Sequence, residues 1–166
     1  TNDKSLYIFL ELLLQTGARR FSILTLKKKD INLASKEVTI KNHKTNTTYK
    51  GFLQDDLIEP LNEYLKDFKI NDDIFSYNEN MDYSQTGHKL LTILDKLFNV
   101  GLSSNDRKNR VVIHTLRHTM ASHLAINGTP IFTIQKLLNH SDITQTMRYA
   151  KLSPENGKNA IQGLYK

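Results

Sequence analysis

The sequence predicts a mainly α-helical protein with one small antiparallel β-sheet, an α+β fold. Three observations lead there. Apolar residues recur at helical spacing along most of the chain. Two short stretches rich in β-formers flank a polar turn. Glycines and prolines fall where helices begin and end, not inside them.

The elements run in order. Ser5–Gln15 reads as a helix that is apolar nearly all round and therefore buried, and Gly17 is a natural stop for it. Arg20–Leu26 reads as a short second helix, after which Lys27-Lys28-Lys29-Asp30 breaks the apolar pattern. Lys36–Lys41 and Thr47–Phe52 form a β-hairpin around the polar turn Asn42–Asn46. Leu57, Ile58, Leu61, Tyr64 and Leu65 define a helix, with Pro60 expected near its first turn, where a missing N–H is tolerated. Asn71–Tyr83 is a loop with strand fragments. Leu90, Leu94, Leu97 and Phe98 mark the next helix, which ends near Gly101. Ser103–Arg110 is a polar, basic loop. His114–Asn127 is a helix closed by Gly128, and the helix of Ile131, Ile134, Leu137 and Leu138 starts at Pro130. A short helix is expected over Thr144–Tyr149. A final one runs from Pro154 to about Gln162, with Ser153 as its N-cap. No repeat or low-complexity segment interrupts the chain.

The 166 residues suit a single domain spanning 1–166. The longest apolar run, around Leu6–Leu14, is broken by Glu11 and too short to span a bilayer, so no membrane partner is expected. Cysteine is absent, which excludes disulfides and thiolate metal sites and fits a cytoplasmic setting. A net charge of +6 and a pI near 9.4 favour a polyanionic partner such as nucleic acid. Because the chain opens inside an apolar helix, it is expected to be the fragment of a larger protein whose N-terminal domain is not included.

Several residues are placed to do chemistry, each with a plain structural alternative. His114 and Arg117, at i and i+3, share a helix face and would meet an anion near a helix start. His114 and His118, at i and i+4, invite a zinc site. A zinc hydrolase would want a glutamate after the first histidine, but Thr115 stands there, and no metal or other cofactor is expected. His140 ends one helix, and Tyr149 lies nine residues on. A tyrosine titrates near pH 10 and attacks poorly unless cations stabilise its phenolate. In Thr16-Gly17-Ala18-Arg19-Arg20 a helix end leads straight into two arginines, whose planar forks suit phosphate. Lys44 sits in the hairpin turn, where a lysine extends towards a ligand. The alternatives are a capping histidine, a packed tyrosine and solvated surface cations.

Order and spacing carry more than any one residue. An arginine, a hairpin lysine, His-x-x-Arg, a helix-end histidine and a tyrosine nine residues later resemble the tyrosine recombinase (phage-integrase-like) family. The stretch HTLRHTMASHLAINGTPIFTIQKLLNHSDITQTMRYAKL, from His114 to Leu152, is similar to that family's C-terminal signature, and TGARRFSILTLKKKDINL to its first arginine box. The resemblance covers essentially the whole chain. It implies that Arg19 is the first catalytic arginine, that Lys44 is the hairpin lysine and general acid for the leaving 5′ oxygen, and that His114 and Arg117 are the central pair. His140 then fills the family's His-or-Trp position, and Tyr149 is the nucleophile that forms a 3′-phosphotyrosyl bond. Where the family often has isoleucine, serine and an acidic residue after the first arginine, this chain has Arg20, Phe21 and Ser22.

The chemistry accounts for these residue types. Attack on a phosphodiester builds negative charge on the non-bridging oxygens, which many nucleases neutralise with divalent metal. Two guanidiniums would do so here without metal or ATP. Lys44 or a histidine would protonate the 5′ oxygen, and His114 would take the tyrosyl proton or hold the phosphate. Lys27–Lys29, Lys108 and Arg110 would grip the DNA backbone, with a solvated face as the alternative for each. The expected partner is double-stranded DNA, on paired sites bound by a homotetramer or heterotetramer. The acidic pairs Asp55-Asp56 and Asp72-Asp73 read as a helix cap and a loop. Two other functions stay open at this point, a type IB topoisomerase-like activity and a DNA-binding module whose catalytic set has decayed.

Overall fold

In the computed structural model, residues 3–75, 77–78, 83–154 and 161–162 are described. Helix α1 (Lys4–Thr16) is capped by Asp3, whose carboxylate accepts from the Leu6 N–H. Its buried residues include Leu6, Ile8, Phe9, Leu12 and Leu13, so the apolar stretch is core, as its composition predicts. Helix α2 (Arg20–Leu24) comes after a three-residue turn, and a single 3₁₀ turn over Lys28–Asp30 leads into strand β1 (Ile31–Asn32).

Strands β2 (Glu37–Asn42) and β3 (Thr47–Phe52) form the expected hairpin, with Asn42 opposite Thr47 and Glu37 opposite Phe52. Asn42 therefore belongs to the strand, not to the turn. β1 adds a third antiparallel strand, in the order β1-β2-β3. Two residues are too few to show a period-2 pattern, which is why the sequence did not announce it. Along β2, Val38, Ile40 and Asn42 are buried and the alternate residues face outward.

Helix α3 (Asp55–Leu65) begins two residues before its first apolar position, because Asp55 and Asp56 place negative charge on its first turn. Pro60 is consequently the helix's sixth residue and not in its first turn, which corrects the sequence expectation. The ring removes the N–H that would have bonded the carbonyl of Asp56, an exposed residue whose carbonyl water can reach. The strand fragments expected in the next loop are β4 (Tyr77–Asn78) and β5 (Tyr83–Ser84), paired antiparallel. Helices α4 (Gln85–Phe98) and α5 (Ile113–Ile126) match their apolar spacing. Helix α6 (Ile131–Leu137) has Pro130 as N-cap. The short helix α7 spans only Thr144–Met147, so Tyr149 lies beyond it in an αR turn, ahead of a 3₁₀ turn over Ala150–Leu152. Most of the expected final helix falls outside the described residues; Ile161 and Gln162 are helical.

Contacts group the chain into two compact units, Thr1–Met120 and Ala121–Lys166. The first holds an apolar core of α1, α2, β2, β3, α3 and α4 residues, with Phe9 set edge-on to Phe75 at 5.2 Å. In the second, Ala121, Ala125, Ile134 and Leu138 are buried.

One close approach fixes the end of α1 in the first unit. A Cβ added at Gly51 would meet Ile40 Cδ1 and Thr16 Cγ2, each at 2.8 Å. Gly51 is therefore the residue that lets β3 lie against the C-terminus of α1. Gly51→Ala should cost about 1–3 kcal/mol through overpacking. A denaturant midpoint unchanged from the parent would show that the two elements separate freely.

Candidate active site

The first unit holds four of the expected residues. α1 ends on Gly17 in the left-handed region (φ 59°), whose N–H donates to the Leu13 carbonyl at 3.0 Å. Thr16 locks the same turn. Its hydroxyl donates to the Leu12 carbonyl and accepts from the Ala18 N–H. Arg19 comes next in extended conformation as the N-cap residue of α2 and is half-buried.

Arg117 reaches this turn from a hundred residues away. Its Nη1 donates to the Gly17 carbonyl at 2.5 Å, and the residue is only 3% exposed. A guanidinium cannot shed its charge, so burial on a backbone carbonyl gives it direct compensation. The start of α5 is set by Thr115, whose side chain accepts from the Val112 N–H while its own N–H donates to the Val112 carbonyl. Of the pair expected to project together, Arg117 turns inward, while His114 stays exposed with its ring edge-on to His118 at 4.7 Å.

Tyr49, on β3, is the residue that sequence reasoning missed. Its hydroxyl is closed to solvent and makes no hydrogen bond of good geometry. It lies within the electrostatic reach of both Arg117 and Arg19. Burial pushes its pKa up, and this outweighs the opposing pull of the two guanidiniums. Tyr49 therefore stays a neutral phenol behind two fixed cations. Nothing in the sequence singled it out beyond a tyrosine in a strand, because its partners lie on other elements.

Lys44 is exposed in the hairpin turn, and its backbone N–H donates to Asn42 Oδ1 at 3.1 Å. Of the lysines and arginines assigned to backbone gripping, three have partners inside the fold. Lys27 pairs with Asp73 at 2.9 Å, Lys28 donates to the Phe68 carbonyl at 2.7 Å, and Arg110 pairs with Asp95. Among the described residues no group of three or more His, Cys, Asp or Glu is clustered to hold a metal ion.

The second unit holds the other two residues in a local arrangement of its own. Asn139 takes the left-handed region (φ 49°), and the His140 N–H donates back to the Gln135 carbonyl, which closes α6. The His140 ring meets Thr146 Oγ1 through Nδ1 at 2.8 Å. Thr146 is fully buried, and its carbonyl accepts from the Tyr149 N–H at 2.9 Å. Thr146 thus joins the histidine to the tyrosine's backbone, a link that spacing alone did not name. Tyr149 itself is 4% exposed.

Known proteins resemble this chain in sequence and fold. The family model described as "Phage integrase family" matches residues 1–156. The tyrosine recombinase XerA of Saccharolobus solfataricus is 31% identical over 159 residues, covering 96% of this chain and 49% of that protein. The tyrosine recombinase XerD of Staphylococcus epidermidis is 31% identical over 165 residues, covering 94% of this chain and 52% of that protein. The chain thus spans about half the length of these relatives. Among solved structures, the catalytic domain of bacteriophage HP1 integrase superposes with a TM-score of 0.66 at 25% identity, covering 95% of this chain and 80% of that one. A crystal structure of XerA recombinase superposes with a TM-score of 0.68 at 22% identity, covering 99% of this chain and 60% of that one.

Two substitutions probe the arginine cradle without DNA. Arg117→Ala should destabilise by about 1–3 kcal/mol, since it strands the Gly17 carbonyl in a buried site. Tyr49→Phe should change stability by less than about 1 kcal/mol, because the cost of burying the hydroxyl and its interaction with Arg117 oppose each other. Chemical denaturation measures both. A large loss in Tyr49→Phe would mean that the hydroxyl is held more firmly than its geometry indicates.

Proposed function

The chain belongs to the phage integrase family, and on that premise we propose that it is the catalytic domain of a site-specific DNA recombinase, acting over the whole span 1–166. The observation that carries this is the buried Arg117 guanidinium seated on the turn that presents Arg19. One permanent cation is fixed in advance of any substrate, and the turn it sits on carries the other, which suits a phosphorane-like transition state. Metal and ATP are then unnecessary.

In this proposal the Tyr149 oxygen attacks the scissile phosphorus. The P–O bond to the 5′ oxygen breaks as the 3′-phosphotyrosyl bond forms. Arg19 and Arg117 hold the non-bridging oxygens. Lys44 gives its proton to the departing 5′ oxygen, and His114 takes the tyrosyl proton or binds the phosphate. His140 steadies the segment that carries Tyr149 through Thr146. The linkage energy is kept in the ester, so a different 5′-hydroxyl can attack it and exchange strands. The proposed partner is double-stranded DNA, in a homotetramer or heterotetramer on paired sites, within the cytoplasm. Among the described residues no helix is long and apolar enough to cross a membrane.

Two tyrosines compete for the role of nucleophile, and substitution separates them. Tyr49 lies within reach of two cations, with burial pushing its pKa up. Tyr149→Phe should abolish the covalent protein–DNA adduct on a nicked duplex carrying the sequence that the intact protein protects from nuclease. Tyr49→Phe should still form the adduct. Trapping on denaturing gels reads both, and an undiminished adduct in Tyr149→Phe would sink the assignment. Arg19→Ala should slow cleavage by roughly a hundred- to a thousand-fold, the usual effect of removing one such donor.

A further inference from the structure

We propose that His43 is a positioning residue that clips the β2–β3 hairpin to the end of α2 and so sets where Lys44 stands. The inference rests on the reading of Lys44 as proton donor to the departing 5′ oxygen.

His43 immediately precedes Lys44 in the turn. Its Nε2 lies 2.8 Å from Thr25 Oγ1. The Thr25 hydroxyl donates its proton to the Phe21 carbonyl at 3.0 Å, so the ring Nε2–H is the donor to Thr25. The Phe21 ring meets the His43 ring at 4.4 Å and 66°, an edge-to-face contact. Phe21 and Thr25 are one helical turn apart, so they grip one imidazole together. This accounts for Phe21, an aromatic left 37% exposed where the family pattern often has a serine.

Two other bonds near the tip are internal to the hairpin. Asn42 Oδ1 accepts from the Lys44 N–H, and the hydroxyls of Thr45 and Thr47 meet at 2.7 Å. They shape the turn without fixing it against the rest of the unit. The His43 contact does fix it, and to a particular place. The N-cap of α2 is Arg19 and its C-cap is Thr25. The same short helix therefore presents one phosphate-binding arginine and holds the neighbour of the proton donor. Proton transfer requires an approach of about 2.6–3.2 Å between heavy atoms, so a hairpin released from α2 loses it readily.

The test uses the intact protein on a duplex carrying the sequence it protects from nuclease, with single-turnover cleavage as the readout. His43→Ala should slow cleavage on the order of ten- to a hundred-fold, within the usual worth of a general acid, while DNA affinity stays within threefold or so. His43→Gln, which keeps a donor at the Nε2 position, should recover most of the rate. Thr25→Val should resemble His43→Ala, and the two together should be no worse than either. In a Lys44→Ala background, His43→Ala should have no further effect. An equal slowing in both backgrounds would overturn the proposal, as would no slowing in the parent. Should His43→Ala fold poorly, Thr25→Val in the two backgrounds decides the same question.

A substrate with sulfur in place of the 5′-bridging oxygen separates this inference from the one beneath it. A thiol ionises near pH 8.5, so its thiolate leaves without a proton. Lys44→Ala should regain its rate on that substrate. If it does not, the proton-donor reading of Lys44 fails, while the coupling between His43 and Lys44 still decides the clip.

Discussion

The turn that carries Arg19 depends on one contact, the Arg117 guanidinium donating to the carbonyl of Gly17. Gly17 accepts it because its left-handed backbone ends α1 and turns the carbonyl out of the helix's own ladder. That same turn releases Arg19 in extended conformation two residues later. One strained-for-most-residues position thus aims one arginine and seats the other. A fully solvated arginine would keep its rotamer freedom and lose it on binding. Burial at 3% exposure removes that freedom during folding instead.

The packing around this contact is correspondingly tight. Thr16 bonds both backward to Leu12 and forward to Ala18, and Gly51 is the residue that leaves room for Thr16 against β3. Two positions along, β3 buries the Tyr49 hydroxyl within reach of Arg117 and Arg19. Keeping Tyr49 neutral also preserves the positive charge of the cradle, since a phenolate there would cancel half of it.

Much of the fold was legible because helices announce themselves. The apolar spacing of α1, α4, α5 and α6 and the β-formers of β2 and β3 place those elements within a few residues of where they stand. Short elements were less legible: β1, with two residues, was not expected, and α7 starts at Thr144 as expected but stops before Tyr149. Pro60 misled because the first apolar residue was taken for the helix start, whereas Asp55 and Asp56 start it on charge. At the candidate site, order along the chain proposes six residues. It does not propose the bonds that hold them. The partners of Arg117, Tyr49 and His43 come from separate elements, and no spacing rule reports a contact across a hundred residues.

The separation of His140 and Tyr149 is a different kind of fact, because local bonds alone produce it. Asn139 in the left-handed region closes α6 and turns the chain at His140. Asp142 then accepts from the Thr144 N–H just ahead of α7, and its carboxyl is held below the usual range by Thr144. Within that single turn Thr146 receives the His140 ring, and its carbonyl receives the Tyr149 N–H. Each bond fixes the next over six residues or fewer. One residue more or less would rotate the downstream segment by about 100° and carry Thr146 away from the ring. The spacing from His140 through Thr146 to Tyr149 is therefore what these local bonds require, and bonds this short in sequence leave a trace in spacing that a contact across a hundred residues does not.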